Sequence, residues 1–147
     1  MQTAYQNTEG IYMKKSVSKL KKDLDKWFSL YVRLRESTNG LCQCFTCGKV
    51  AHYKSGMQCG HFQSRRFMAT RFDEENCQVQ CTACNMFRSG EQYKFGLNLD
   101  SKYGDGTAEE LEFLAKQTVK ITRVEYEEKI IYYKKLVENL KKEKGIE

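Results

Sequence analysis

Two short stretches, CFTCG at residues 44–48 and QCTACN at residues 80–85, decide the fold that this sequence predicts. Each holds two cysteines separated by two residues, so both thiolates of a pair can face one metal ion from a tight turn. A redox dithiol normally uses a single such pair beside a βαβ pattern, which is absent here. The sequence therefore predicts one structural zinc ion, with four ligands: Cys44, Cys47, Cys81 and Cys84.

The cysteine content also indicates whether the protein is secreted or stays inside the cell. The chain has seven cysteines, an odd number, and its first residues lack a signal-peptide pattern. No apolar run approaches membrane-spanning length. A reducing cytoplasm, with cysteines acting as metal ligands, is therefore favoured over a secreted disulfide scaffold. Cys42, Cys59 and Cys77 are predicted to be buried or incidental thiols rather than ligands.

The 147 residues fit a single domain in three segments. Residues 1–10 are polar and predicted to be frayed, and a helix is predicted over residues 16–37. Apolar side chains recur along that helix at three- and four-residue steps: Val17, Leu20, Leu24, Trp27, Tyr31 and Leu34. Residues 41–104 contain short β-like pieces and too few apolar runs to fold readily without a metal ion.

Residues 105–147 are predicted to be helical. One short helix runs from Ala108 to Lys116, and Thr122 with Glu125 forms a capping box that opens a second helix. Apolar residues in the second helix form a narrow seam: Tyr126, Ile130, Tyr133, Val137 and Leu140. The seam suits packing on another helix, and about two heptads are short for an independent coiled coil. We therefore expect it to pack on the N-terminal helix rather than on a partner chain.

Positive charge is concentrated in the first two segments. Residues 1–104 carry 16 Lys or Arg against 9 Asp or Glu, a net charge of +7, whereas residues 105–147 carry 9 against 10, a net charge of −1. A polyanion would therefore meet the first two thirds of the chain. The alternative is a solvated helix surface, because six of the lysines lie between residues 14 and 26.

The middle segment carries candidate chemistry. Phosphodiester hydrolysis needs an activated water and a cation that absorbs charge on the phosphate and on the leaving oxygen. A ββα-metal (HNH) nuclease uses a histidine on the first strand as the base, an asparagine to orient it and a histidine or asparagine on the helix to hold the cation. His61, Asn76 and Asn85 occur here in that order.

Four quoted stretches carry a closer resemblance: CFTCG, QCGHF, RFDEENCQVQCTACN and SGEQYKFGLNLDSKYG. They resemble the phage NinG (Rap) recombination endonucleases, an HNH-type family, over residues 41–104 strongly and over the helix at 122–140 more weakly. The resemblance implies an α+β protein with a zinc-stapled ββα-metal core flanked by N- and C-terminal α-helices. It also implies a phage or prophage protein of the bacterial cytoplasm that cuts branched DNA such as Holliday junctions and D-loops.

Matched residue by residue, the resemblance implies that the four paired cysteines bind zinc, that His61 is the general base and that Asn76 orients it. It makes Asn85 a ligand of the catalytic Mg²⁺ or Mn²⁺. Gln58 and Gln78 depart from the family pattern, which has an acid and a histidine at these positions. The Gln58 carbonyl oxygen can bind a cation but adds no negative charge. Nearby acids are candidates to compensate: Asp73, Glu74 and Glu75.

DNA binding is assigned to four arginines near the proposed site: Arg65, Arg66, Arg71 and Arg88. Their alternative role is salt bridging with the acids at 73–75. A homodimer would suit a symmetric two-strand cut.

Two other functions stay open at this point. One is a catalytically silent zinc-finger module that binds DNA, and the other is a zinc-stabilised protein-interaction domain that uses the seam at 126–140.

Overall fold

The first described helix closely follows its predicted range. The computed structural model describes residues 14–147, so the prediction for residues 1–10 lies outside the described residues. Helix α1 spans Val17–Arg35, within the predicted 16–37. Ser16 caps its start, because its hydroxyl accepts a hydrogen bond from the Lys19 N–H at 3.1 Å.

The buried face of α1 differs in part from the predicted stripe. Leu20, Leu24 and Leu34 are buried as predicted, but Val17 is exposed. Phe28 and Val32 are also buried, whereas Trp27 and Tyr31 are only partly so. The stripe continues in four-residue steps from Leu24, so Trp27 and Tyr31 lie at its edge.

Two small antiparallel sheets follow α1. Strand β1 (Leu41–Gln43) pairs with β2 (Val50–His52), and β3 (Met57–His61) pairs with β4 (Cys77–Cys81). In the second sheet Met57 stands opposite Cys81, and His61 stands opposite Cys77. This register places the candidate base at one end of the sheet and a candidate zinc ligand at the other.

The other helical elements occupy the loop after β3 and the chain beyond β4: α2 (Met68–Arg71), a π-helical turn (Ala83–Phe87), α3 (Gln92–Tyr103), α4 (Thr107–Ala115) and α5 (Arg123–Glu143). Helix α4 lies one residue earlier than the predicted 108–116. The capping box at the start of α5 is confirmed, since Thr122 and Glu125 exchange hydrogen bonds. Helices and small sheets together make the predicted α+β class.

Helix α5 packs against α1, which confirms the intramolecular choice for the seam. Tyr126 and Tyr133 are buried in one cluster with Leu20, Leu24 and Phe28 of α1. The Phe28 and Tyr133 rings meet edge to face with centroids 5.0 Å apart. The seam is therefore covered within the chain.

The partly buried carboxylate of Glu74 contacts both long helices. The Glu74 carboxylate accepts hydrogen bonds from Tyr31 Oη at 3.1 Å and from Tyr133 Oη at 2.8 Å. Burial and the nearby carboxylate raise the pKa of Tyr133, so its hydroxyl stays protonated and donates. Glu74 thus links the segment before β4 to both long helices.

The apolar side chains that follow Cys81 divide between the surface and the core. Met86, Phe87, Tyr93 and Leu97 are all exposed. The side chains that reach the core from this region are instead Phe95 and Leu99, which cluster with Leu111 of α4. Helix α3 buries the face carrying positions 95 and 99, four residues apart, and turns positions 93 and 97 to the surface.

Within residues 14–147, none of the helices is both apolar enough and long enough to cross a bilayer.

Tyr133→Phe tests the contact between α5 and Glu74. It removes one hydrogen bond to a carboxylate and keeps the ring, so the free energy of unfolding should fall by about 1–2 kcal/mol. Urea denaturation monitored by circular dichroism measures it. Tyr132→Phe is the matched control, because Tyr132 is exposed, and it should change stability by less than about 0.5 kcal/mol. Equal effects of the two changes would contradict the proposed contact.

Candidate functional site

The two cysteine pairs converge as the sequence predicts. The sulfur atoms of Cys44, Cys47, Cys81 and Cys84 all lie within 4.8 Å of one another, and Cys47 Sγ is 3.7 Å from Cys81 Sγ. Three of the four residues are buried, and Cys47 is exposed. Four thiolates at this separation suit the tetrahedral coordination of a structural zinc, so the cluster can hold such a metal ion.

The first cysteine pair lies in a tight turn between β1 and β2. The Cys44 N–H donates to the Lys49 carbonyl at 2.7 Å, and the Gly48 N–H donates to the Cys44 carbonyl at 3.0 Å. Gly48 has a φ of +81°, which only glycine adopts readily. The Phe45 N–H donates to the Val79 carbonyl at 2.8 Å, so the turn is fastened to β4.

Hydrogen bonds around Cys44 favour its thiolate. Burial raises the pKa of Cys44, but the Thr46 hydroxyl and the backbone N–H groups of Cys81, Cys47 and Thr46 outweigh burial and lower the pKa to about 6. The Thr46 Oγ1 to Cys44 Sγ distance is 3.5 Å. Donors arranged around a sulfur in this way match a metal-bound thiolate, so the donor set fits zinc.

Gly60 makes room for a link between β4 and the first cysteine turn. A Cβ at Gly60 would lie within 2.0 Å of Gln80 Oε1, so no other residue fits there without displacing Gln80. Gln80 Nε2 donates to Thr46 Oγ1 at 3.0 Å and to the Gly90 carbonyl at 2.9 Å. The glycine immediately before His61 thus serves the packing around the cysteine cluster.

His61, the last residue of β3, is fixed by a backbone carbonyl. Its Nε2 lies 2.9 Å from the Arg71 carbonyl oxygen. A carbonyl only accepts, so Nε2 carries the proton and, in the neutral ring, Nδ1 carries the free lone pair. Burial lowers the pKa of His61, although the Arg71 carbonyl partly opposes this shift. The imidazole is therefore neutral near pH 7 and able to accept a proton.

Asn76, which is predicted to orient His61, makes its hydrogen bonds to backbone atoms of the neighbouring loop. Its Oδ1 accepts from the Gln63 N–H at 2.8 Å, and its Nδ2 donates to the carbonyls of Gln63 and Thr70 at 3.1 and 3.0 Å. Asn76 is fully buried. It fixes the loop that ends beside Arg71, and so it positions the carbonyl that holds His61.

The guanidinium of Arg71, one of the four predicted phosphate ligands, is bound within the chain. The guanidinium forms a bidentate pair with Asp25 of α1, at 3.0 Å from Nε and 2.5 Å from Nη2. Its Nη1 donates to the Arg65 carbonyl at 2.8 Å, and only 11% of the side chain is exposed. These bonds hold the Arg71 backbone in place, because they fasten the residue to α1 and to its own loop.

A groove of about 840 Å³ connects the candidate residues. His61, Gln58 and Asn85 all line it, so the structure brings the predicted base and both predicted cation ligands together. Asp25 and Arg65 line the same groove. Among residues 14–147, Asp25 is the sole carboxylate residue in its lining.

The predicted cation ligands contact each other. Asn85 Nδ2 donates to Gln58 Oε1 at 2.6 Å. Gln58 Nε2 also lies 3.4 Å from Met86 Sδ. In the described part of the chain, Asn85 Oδ1 makes no hydrogen bond, so this oxygen is free to bind a cation.

The acids proposed to compensate for Gln58 lie elsewhere. Glu74 is bound by two tyrosines, and Asp73 accepts the backbone N–H groups of Glu75 and Asn76 at 2.9 and 3.0 Å. None of residues 73–75 lines the groove. Among residues 14–147, the carboxylate that lines the groove is that of Asp25.

Three of the four predicted arginines keep exposed side chains. Arg65 lines the groove, and its Nη1 is 4.0 Å from Asp25, while Arg88 Nη1 is 3.9 Å from Glu91. Both are loose pairs at the edge of contact distance, and Arg66 is also exposed. The predicted alternative of salt bridges to residues 73–75 is absent within residues 14–147.

Sequence reasoning missed Asp25 and Arg33, which reach the groove from α1. Arg33 lines the groove, and its Nη1 donates to the Tyr53 carbonyl at 2.7 Å. Asp25 and its partner Arg71 are 46 residues apart, so no local pattern connects them. The only available signal was their charge within a helix that has an apolar stripe on its other face.

Comparison with known proteins gives one family. A search of curated proteins and a search of solved structures each found no match. The family model described as Bacteriophage Lambda NinG protein matches residues 7–143, nearly the whole chain. This chain therefore belongs to the NinG family.

Proposed function

We propose that this protein is a metal-dependent DNA endonuclease with a ββα-metal (HNH) core made of β3, β4 and the π-helical turn. The observation that carries the proposal is the state of His61, whose Nε2 is bound to the Arg71 carbonyl while the ring lines the groove. Such a ring is neutral, oriented and able to take a proton. Asn85 lies on the same groove, on the element that Cys84 anchors.

In the proposed mechanism His61 Nδ1 takes a proton from the attacking water. The Arg71 carbonyl then stabilises the imidazolium, because the Nε2–H bond to it strengthens when the ring is charged. Asn76 and the Asp25–Arg71 pair act as positioning residues, since they hold the loop that carries this carbonyl. The hydrogen bonds of Asn76 and of the Asp25–Arg71 pair thus fix the carbonyl that orients the His61 ring.

Asn85 and Gln58 would supply oxygen donors for the catalytic cation, and the Asp25 carboxylate lines the same groove. When bound, Mg²⁺ or Mn²⁺ would neutralise charge on the scissile phosphate and on the leaving oxygen. The free Asn85 Oδ1 fits such a ligand, and Mg²⁺ commonly keeps several waters when protein ligands are few. Gln58 Oε1 accepts one hydrogen bond from Asn85, and its second lone pair is left for a cation.

The proposed substrate is branched DNA, in line with the resemblance of residues 41–104 to recombination endonucleases. Arg65 lines the groove, Arg66 and Arg88 each adjoin a lining residue in sequence, and all three are exposed and carry charge that suits phosphate contacts. A homodimer would place two such sites on one junction, as a symmetric cut requires.

A second candidate function is a DNA-binding module without catalysis. It is favoured by the hydrogen bond between Asn85 and Gln58. Both side chains are neutral amides, whereas a divalent cation is bound more tightly when a carboxylate is among its ligands. The protein-interaction alternative loses its basis, because Tyr126, Tyr133 and Val137 of the seam are buried within the chain.

Zinc content is the first prediction. Purified protein should contain one tightly bound zinc per chain, and Cys81→Ser should lose it and unfold the middle segment, because a structural zinc contributes roughly 10 kcal/mol to folding. Elemental analysis and circular dichroism measure the two effects. Cys42→Ala is the control, since Cys42 is buried beside the cluster but outside it. Normal folding of zinc-free protein would contradict the prediction.

The second prediction concerns catalysis. His61→Ala should slow Mg²⁺-dependent cleavage of a four-way junction by on the order of 10²-fold or more, with DNA affinity nearly unchanged. His52→Ala is the matched control, because His52 is the other histidine of the chain and is exposed. A DNA-binding module predicts no cleavage by the wild type, and equal rates for both variants would remove His61 as the base.

The third prediction concerns DNA affinity. Replacing Arg65 and Arg66 together with alanine should weaken binding to linear and branched DNA alike and lower the slope of log K against log salt by about two. Lys141 and Lys142, in the last turn of α5, provide a control pair of equal charge outside the groove. An unchanged slope in the arginine variant would show that these arginines do not contact phosphate.

A further inference from the structure

We propose a second metal site, formed by Cys59, His61 and Cys77, that takes a soft divalent cation such as Zn²⁺. The ligand atoms of these residues lie within 4.8 Å of one another. Cys59 and His61 are two residues apart on β3 and so share one face of the sheet, and Cys77 of β4 stands directly opposite His61. The set is separate from the four-cysteine cluster.

The site has a route for an ion. Cys59 and His61 both line the groove, while Cys77 is fully buried behind them. An ion entering from the groove would meet two sulfur ligands and one nitrogen ligand. The fourth position then faces the groove and remains open to water, the arrangement of a zinc site with three protein ligands.

The donor chemistry selects against the cation proposed for cleavage. Two thiols and an imidazole prefer Zn²⁺, Cd²⁺ or Co²⁺, whereas Mg²⁺ requires oxygen ligands. Binding releases the protons of both thiols to solvent, so the ion binds as two thiolates and one neutral ring. Cys77 Sγ then gives up its 3.5 Å contact with the Arg71 carbonyl.

Occupation of this site would block His61 as a base, and this step rests on the proposed function. A neutral imidazole has one lone pair, and the metal ion uses it. If Nδ1 binds the ion, the base atom itself is occupied. If Nε2 binds it, the ring proton moves to Nδ1 and the bond to the Arg71 carbonyl is lost. Either way no acceptor remains, so the site would act as an inhibitory zinc site.

Cobalt absorption tests the site without reference to cleavage. Full-length protein carrying one equivalent of zinc, kept reduced by a phosphine, is titrated with Co²⁺, which does not readily displace the tighter-binding zinc. Wild type should gain thiolate-to-cobalt charge-transfer absorption that saturates at about one further equivalent. Loss of a residue that hydrogen-bonds to a metal ligand already weakens metal binding by about 10–100-fold, so loss of a ligand itself in Cys59→Ala should weaken binding by on the order of 100-fold or more.

Cys42→Ala is the matched control, because it removes a buried thiol outside both clusters, and it should titrate like wild type. No cobalt–thiolate absorption in wild type, or equal absorption in Cys59→Ala, would overturn the site.

Cleavage in Mg²⁺ with added Zn²⁺ is the second measurement, with each variant normalised to its own zinc-free rate. Wild type should be inhibited and Cys59→Ala should resist, and equal inhibition would overturn the inhibitory role. Cobalt binding by a wild type that cuts no DNA would leave the site standing and remove the proposed nuclease.

Discussion

The convergence of four cysteine sulfurs within 4.8 Å is the constraint on which the middle of this protein depends. It joins the turn after β1 to the end of β4 and to the π-helical turn. The two sheets have strands of only three to five residues, too small to be stable alone. A metal ion held by the cluster would supply the free energy that these strands lack.

Around this centre the long helices control the groove through polar contacts. Asp25 of α1 holds the Arg71 guanidinium, and the Arg71 carbonyl holds His61. On the other side Tyr133 of α5 binds Glu74, next to the Asp73 carboxylate that caps Asn76. The orientation of the His61 imidazole therefore depends on a chain of contacts that reaches both terminal helices.

Local signals in the sequence predict most of the framework. The paired cysteines and the Thr122 capping box are each defined by residues a few positions apart, and their local geometry follows from that spacing. The groove is different. Asn76 binds backbone atoms, which have no sequence signature, and Asp25 finds Arg71 only after the chain has folded.

The sequence alone also does not show which apolar residues are exposed and which are buried. Phe87 and Tyr93 are large aromatic residues of the kind that often fill a core, yet they are exposed. Phe95 and Leu99 instead fill the space against α4. Arg71 shows the converse case, a charged residue that is buried because it has a carboxylate and a carbonyl as partners. Both outcomes are set by tertiary packing.

X-ray absorption at the zinc edge, measured on the full chain carrying one equivalent of zinc, tests the central claim most directly. Coordination by Cys44, Cys47, Cys81 and Cys84 predicts a first shell of four sulfur atoms at about 2.3 Å and no nitrogen or oxygen. A first shell in which nitrogen or oxygen replaces one or more sulfurs would contradict the account.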